Sequence, residues 1–206
     1  MEDRQPGGLV LDFVADEADA PRRAQALRAA GLDVSAWTPI IPGRVDVPRR
    51  WSADPAVLLV GEDADGTYEG DATVVLRRYP RPSQGSCSGE RTDGLLLVLI
   101  SPKDAGEAAA QELRDWGDFV HLRHIAEAGV PGYRTITPYG NAKGPGSEPR
   151  WCHFYEMHTD DPEASYQAMT PLVKQRLGDR QAIRDWAMHP QLVIEHVQTY
   201  RRSAGP

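Results

Sequence analysis

The feature that most limits how this chain can fold is a pattern met twice. Residues 8–15 (Gly-Leu-Val-Leu-Asp-Phe-Val-Ala) and 94–101 (Gly-Leu-Leu-Leu-Val-Leu-Ile-Ser) are short apolar runs suited to a pleated sheet. Each leads through an acidic residue and alanines into helical spacing. A unit that recurs along a chain points to two copies of one supersecondary motif that bury their apolar faces together.

In the first copy Asp19 is placed to cap a helix, with Pro21 in the first turn, where a missing N–H costs little. Ala24, Leu27 and Ala30 recur at helical spacing and Gly31 provides the stop. Residues 33–41 read as extended, and 55–61 and 73–76 as strands, which gives β-α-β-β-β. In the second copy Ala109, Leu113, Trp116 and Val120 step by four, three and four along one buried stripe, ended by Gly129 and Pro131. Strands come next over 133–139 and 150–158, around a glycine-rich loop at 140–149. Asp160 or Asp161 caps a helix with Pro162 at its start, residues 181–188 form a short helix, and 192–200 close the unit. The order β-α-β-β-α-β is the split βαβ arrangement of a ferredoxin-like fold. The expected class is therefore α+β, with tandem ferredoxin-like units: a shortened one over 1–79, a Pro/Gly/Ser-rich linker over 80–93, and a full one over 94–206.

With 40% hydrophobic and 26% charged residues the chain is globular in composition, and its net charge of -7 argues against a nucleic-acid surface. Arg22-Arg23, Arg49-Arg50, Arg77-Arg78 and Arg201-Arg202 are scattered pairs, read as solvated surface rather than a basic patch. Two cysteines, Cys87 and Cys152, make neither a disulfide framework nor a four-cysteine zinc site. Residues 1–6 lack a secretory pattern, and the longest apolar run (95–100) is far short of the ~20 residues that cross a bilayer. The expectation is a soluble cytoplasmic protein that binds neither nucleic acid nor membrane.

Residues 115–158 hold four of the six histidines, with two tryptophans, three tyrosines and two loops rich in glycine and proline. Residues three apart on a helix are neighbours, so Asp118 can reach His121, and His121 can reach His124. A carboxylate beside an imidazole fixes its tautomer and raises its pKa, which suits a general base. The bland alternative is a surface pair near a helix end. Strand alternation sets His153, Tyr155 and Met157 on one face and Cys152, Phe154, Glu156 and His158 on the other. Tyr133, Thr135, Thr137 and Tyr139 would share a face, with Arg134 opposite, available to an anion or to Glu156. His121 and His124 with His153 or His158 are the histidines a metal would use, but an HxxH pair is unspecific and no metal is assigned. Haem ligation has no visible motif, and Ser101, Ser165 and Cys152 lack a nucleophile-elbow context.

Four stretches carry a family resemblance: Asp115-Trp116-Gly117-Asp118-Phe119-Val120-His121-Leu122, then Val130-Pro131-Gly132-Tyr133, then Arg150-Trp151-Cys152-His153-Phe154-Tyr155-Glu156, and Ser165-Tyr166-Gln167-Ala168-Met169. Over residues 94–200 the chain resembles the EthD-like dimeric α/β-barrel proteins, with His121 at the place of their helix-end histidine. The resemblance implies a ferredoxin-like barrel, closed between two chains or within this one, and a homodimer. That superfamily includes cyclases, isomerases, lyases, haem proteins and cofactor-free oxygenases.

The expected function is a cofactor-independent cyclase, lyase or isomerase that binds a small aromatic or polyketide-like metabolite inside the barrel. His121, assisted by Asp118, moves a proton, with His153 and Tyr155 beside them. Tyr133, Arg134, Trp116, Glu156 and His124 bind the substrate. The alternatives are a haem-dependent or cofactor-free oxygenase on the same fold, and a non-catalytic small-molecule-binding protein.

Overall fold

The computed structural model describes residues 5–51, 54–85 and 91–203; Cys87 and residues 1–4 lie outside them. β1 (Gly8–Val14) runs through a short 3-10 turn into α1 (Ala20–Ala29), followed by β2 (Asp33–Pro39), β3 (Val57–Asp63) and β4 (Val74–Arg78). The stretch read as a linker contributes a two-residue strand, β5 (Gln84–Gly85). The second half contains β6 (Gly94–Pro102), α2 (Glu107–Trp116), a π-helical turn (Gly117–His121) and α3 (Leu122–Glu127). These lead to β7 (Tyr133–Asn141), β8 (Trp151–Met157), α4 (Pro162–Leu177), α5 (Arg180–Ala187) and β9 (Leu192–Arg202). Helix starts obey their caps. Asp161 accepts from the Ala164 N–H, as expected. At α1 the capping carboxylate is Asp16, not Asp19, because the 3-10 turn moves the chain entry one turn earlier.

All ladders are antiparallel, and one nine-stranded sheet runs β4-β1-β3-β2-β9-β6-β8-β7-β5. Its two halves, β4-β1-β3-β2 and β9-β6-β8-β7, repeat one order, the ferredoxin-like order, so the α+β tandem reading holds. Two seams join them. Trp37 to Pro39 pairs with Tyr200 to Arg202, and Leu76 to Arg78 pairs with Tyr139 to Asn141. The second seam closes the sheet into a barrel within a single chain. Every strand except β5 thereby has neighbours on both sides, so no long strand edge needs a second copy to cover it.

Strand alternation divides the apolar residues between two cores. Leu9, Leu11, Leu58, Leu76, Leu97 and Tyr200, among others, fill the barrel. Leu96, Tyr155, Met157 and Val197 face outwards and pack under the helices of the second half with Ile125, Val173 and Trp186. Each such side chain contributes about 1.5–3 kcal/mol by leaving water. The barrel is therefore a filled core, whereas the sequence reading placed the substrate chamber inside it. The space lies on the other side of the sheet, under the helices. No helix among the described residues is long and apolar enough to cross a membrane.

Candidate functional site

A cavity of about 270 Å³ lies between the outer face of the second half-sheet and α4, α5 and the π turn. Its floor is Leu96, Val98 and Ile100 of β6 with His153 and Tyr155 of β8, all on the face that alternation predicts. Trp116 and His121 form one wall, Trp186 and Ala187 another, and Tyr166, Met169, Thr170 and Lys174 a third. Four of the expected site residues, Trp116, His121, His153 and Tyr155, meet here.

The π turn is what brings His121 to the cavity. On an unbroken α-helix the stripe through Leu113 and Trp116 continues to Val120. The wider turn inserts one residue, so His121, Leu122 and Ile125 take the inward positions. Gly117 makes the close approach possible. A Cβ there would stand 3.1 Å from Cε1 and Nε2 of the His153 ring.

His121 Nδ1 lies 3.0 Å from the main-chain oxygen of Trp186. A carbonyl only accepts, so Nδ1 carries the proton. Burial lowers the His121 pKa to about 4, partly offset by that hydrogen bond. The ring is thus neutral at pH 7, and Nε2 presents a lone pair with no hydrogen-bond partner among the described residues. His153, 3% exposed, is lowered to about 3 by burial and by His121, whose ring lies 6.4 Å away and 24° from parallel. It too has no hydrogen-bond partner among the described residues. Burial raises the Tyr155 hydroxyl well above its ordinary value, so it stays protonated. The aromatic frame is continuous: Trp116 lies 4.9 Å from His121, and its Nε1 donates to the Asp185 carbonyl at 2.6 Å.

The other expected residues are elsewhere. Asp118 does not assist His121. The π register turns it towards β4, where it accepts from the Tyr79 hydroxyl at 3.1 Å and lies 3.8 Å from Arg81. Burial raises its pKa to about 6, against the pull of Tyr79 and Arg81. His124 faces away on α3 and accepts from Arg176 at 3.2 Å, while His158 pairs with Asp93 at 3.0 Å. The histidines considered for a metal therefore do not converge, and no cluster of three metal-ligating side chains occurs among the described residues. The expected common face of Tyr133 and Tyr139 fails because the ladder shifts between Tyr133 and Thr135, a bulge at Arg134. Tyr139 points into the barrel. Tyr133 packs behind the cavity, 5.6 Å from Tyr155, with its hydroxyl 3.8 Å from Met169 Sδ. Arg134 lies outside the cavity, and Glu156 accepts from Thr92 on the opposite face of β8.

Sequence reasoning did not find Trp186, Tyr166, Thr170 and Lys174. The last three recur every four residues on α4, a polar stripe in an otherwise apolar-facing helix, and that spacing was a usable signal.

No protein-family profile and no curated protein sequence matches the chain. Solved structures do. The chain is similar to a major regulator of staphylococcal pathogenesis, with TM-score 0.55 and 9% identity over 95% of this chain and 99% of that one. It is similar to an anthrone oxidase-like protein, with TM-score 0.54 and 13% identity over 100% and 94%. It is also similar to a chlorite dismutase variant from Candidatus Nitrospira defluvii, with TM-score 0.51 and 9% identity over 97% and 93%. At such identities these likenesses establish the architecture: the chain has the ferredoxin-like α+β barrel fold these proteins share.

Proposed function

We propose that this chain is an enzyme acting on a small, mostly apolar metabolite of aromatic or polyketide-like class by imidazole acid–base chemistry. Cofactor-independent cyclisation, isomerisation or lyase chemistry fits the groups present, in line with the resemblance of residues 94–200 to EthD-like proteins. The observation that carries the reading is the His121 ring: Nδ1–H is held by the Trp186 carbonyl, and Nε2 is left as a bare lone pair in an apolar cavity.

In this scheme Nε2 of His121 takes a proton from the substrate, and the Trp186 carbonyl stabilises the imidazolium that forms. His153 and the Tyr155 hydroxyl donate hydrogen bonds to the substrate oxygen on which charge develops. Burial keeps the resting ring neutral at pH 7, so Nε2 is free to accept a proton. The test is turnover of a panel of aromatic ketones, anthrone among them. His121→Ala is expected to lower turnover about 10²-fold or more. Unchanged turnover in that variant overturns the reading.

A second reading is an oxygenase on the same fold, either haem-dependent or cofactor-free. In that reading Nε2 of His121 would hold the haem iron, and the haem would supply the oxygen chemistry. At about 270 Å³ the cavity lies just under the roughly 300–1,000 Å³ usual for small-molecule and cofactor sites alike, so volume does not separate the two readings. A visible absorption band in the purified protein, or oxygen uptake with anthrone, separates this reading from the first.

A further inference from the structure

Among the residues lining the cavity one is charged at neutral pH, Lys174. It stands at the exposed rim, two turns along α4 from Tyr166 and one turn beyond Thr170. At about 1.5 Å per residue the three side chains span about 12 Å of that wall, the length of a two-ring molecule with a substituent. Two neighbouring cations are committed: Arg44 pairs with Asp46 and Glu163, and Arg176 with Glu127. Lys174 forms no ion pair among the described residues, and no carboxylate lines the cavity.

These signs select a ligand. A cationic molecule would meet an ammonium and no counter-charge. A wholly neutral one would leave the ammonium to water and gain nothing from it. We propose that the ligand is an aromatic acid: an apolar ring system against Leu96, Val98 and Ile100, with a single anionic group, such as a carboxylate, at Lys174 and the Thr170 hydroxyl. Lys174 is then the residue that sets substrate class, and the charge-assisted contact orients the rings with their other end at His121 and His153. This rests on the reading that the cavity binds a small molecule, but not on His121 acting as a base.

The test uses the full chain and the neutral dye N-phenyl-1-naphthylamine, whose fluorescence rises in an apolar site. The dye is displaced with 1-naphthoate or with its uncharged isostere 1-naphthamide. The expected result is displacement by 1-naphthoate at a concentration about fivefold lower, a preference that narrows as salt is raised. Lys174→Met, an exposed change whose folding is checked by circular dichroism, should abolish the preference and leave 1-naphthamide unaffected. Equal displacement by the two compounds in the unaltered protein overturns the proposal alone. A preference that survives in Lys174→Met does so too, since the anion then sits elsewhere. Failure of the dye and both compounds to bind overturns the proposal together with the cavity reading.

Discussion

His121 and Trp186 hold each other through their main chains. The imidazole Nδ1–H donates to the Trp186 carbonyl at 3.0 Å, and the indole Nε1–H donates to the His121 carbonyl at 3.2 Å. Their rings lie 5.5 Å apart and 9° from parallel. This reciprocal clasp ties the π turn to α5, and it uses no carboxylate.

Trp186→Phe keeps most of the stacking but leaves the His121 carbonyl without its donor. Urea denaturation should show a loss of about 1 kcal/mol. Trp186→Ala should lose about 3–5 kcal/mol through the cavity it opens. In the Phe variant the bond from Nδ1 to the main chain remains, so the imidazole nitrogen spectrum should still report a protonated Nδ1.

Because Asp118 bonds Tyr79 rather than His121, Asp118→Asn should leave turnover within about threefold of the unaltered enzyme. That contrasts with the larger loss, about 10²-fold, that general-base removal brings. Tyr79→Phe should behave in the same way. A fall with Asp118→Asn comparable to that of His121→Ala would show a dyad that these contacts do not contain.

Stability should depend on pH with a definite sign. His121 and His196 are lowered to about 4 and His153 to about 3, each chiefly by burial. The unfolded chain binds more protons below its ordinary histidine pKa of about 6.5, so the contribution of these groups is full above that value. It is lost as pH falls through about 4. Asp118, raised to about 6, acts oppositely: its contribution is full below its ordinary value of 3.8 and is lost as pH rises through about 6. Burial also lowers His124 and His189 and raises Glu62, so five histidines stand against two carboxylates and urea midpoints should drop between about pH 6.5 and 4. His153→Phe should flatten the slope, whereas Asp118→Asn should steepen it.

Gly117→Ala would add about 1 kcal/mol of helix propensity on an open helix. Here the new methyl meets the His153 ring at 3.1 Å, and that ring is held between β8 and the π turn. The variant should therefore be less stable than the parent in urea, with the His153 ring resonances displaced. A more stable variant with unmoved resonances would mean that the ring has room to give.

Element order was legible because each strand and helix is a local pattern. The alternation through β8 placed His153 and Tyr155 together on one face, but it did not say which face the helices cover. Register could not be read. A π turn at residues 117–121 and a bulge at Arg134 each displace the downstream residues by one position, and no residue type announces either. The first of these separated Asp118 from His121, and the second separated Tyr133 from Tyr139. Which side of the sheet stays open was also illegible, because it depends on how side chains from all eight longer strands fill the barrel at once. Lys174 was visible as part of a spacing but had no meaning until the floor opposite it was known.

The two halves of the barrel share a strand order but not a covering. Ala20, Ala24 and Leu27 let α1 lie close on its half-sheet, whereas Trp116, Trp186 and Met169 hold the helices of the second half off theirs. A symmetric ancestor made of two identical subunits would present two equivalent chambers. Among the described residues the apolar chamber lies under the helices of the second half, so a titration with an apolar ligand should saturate at a single equivalent per polypeptide.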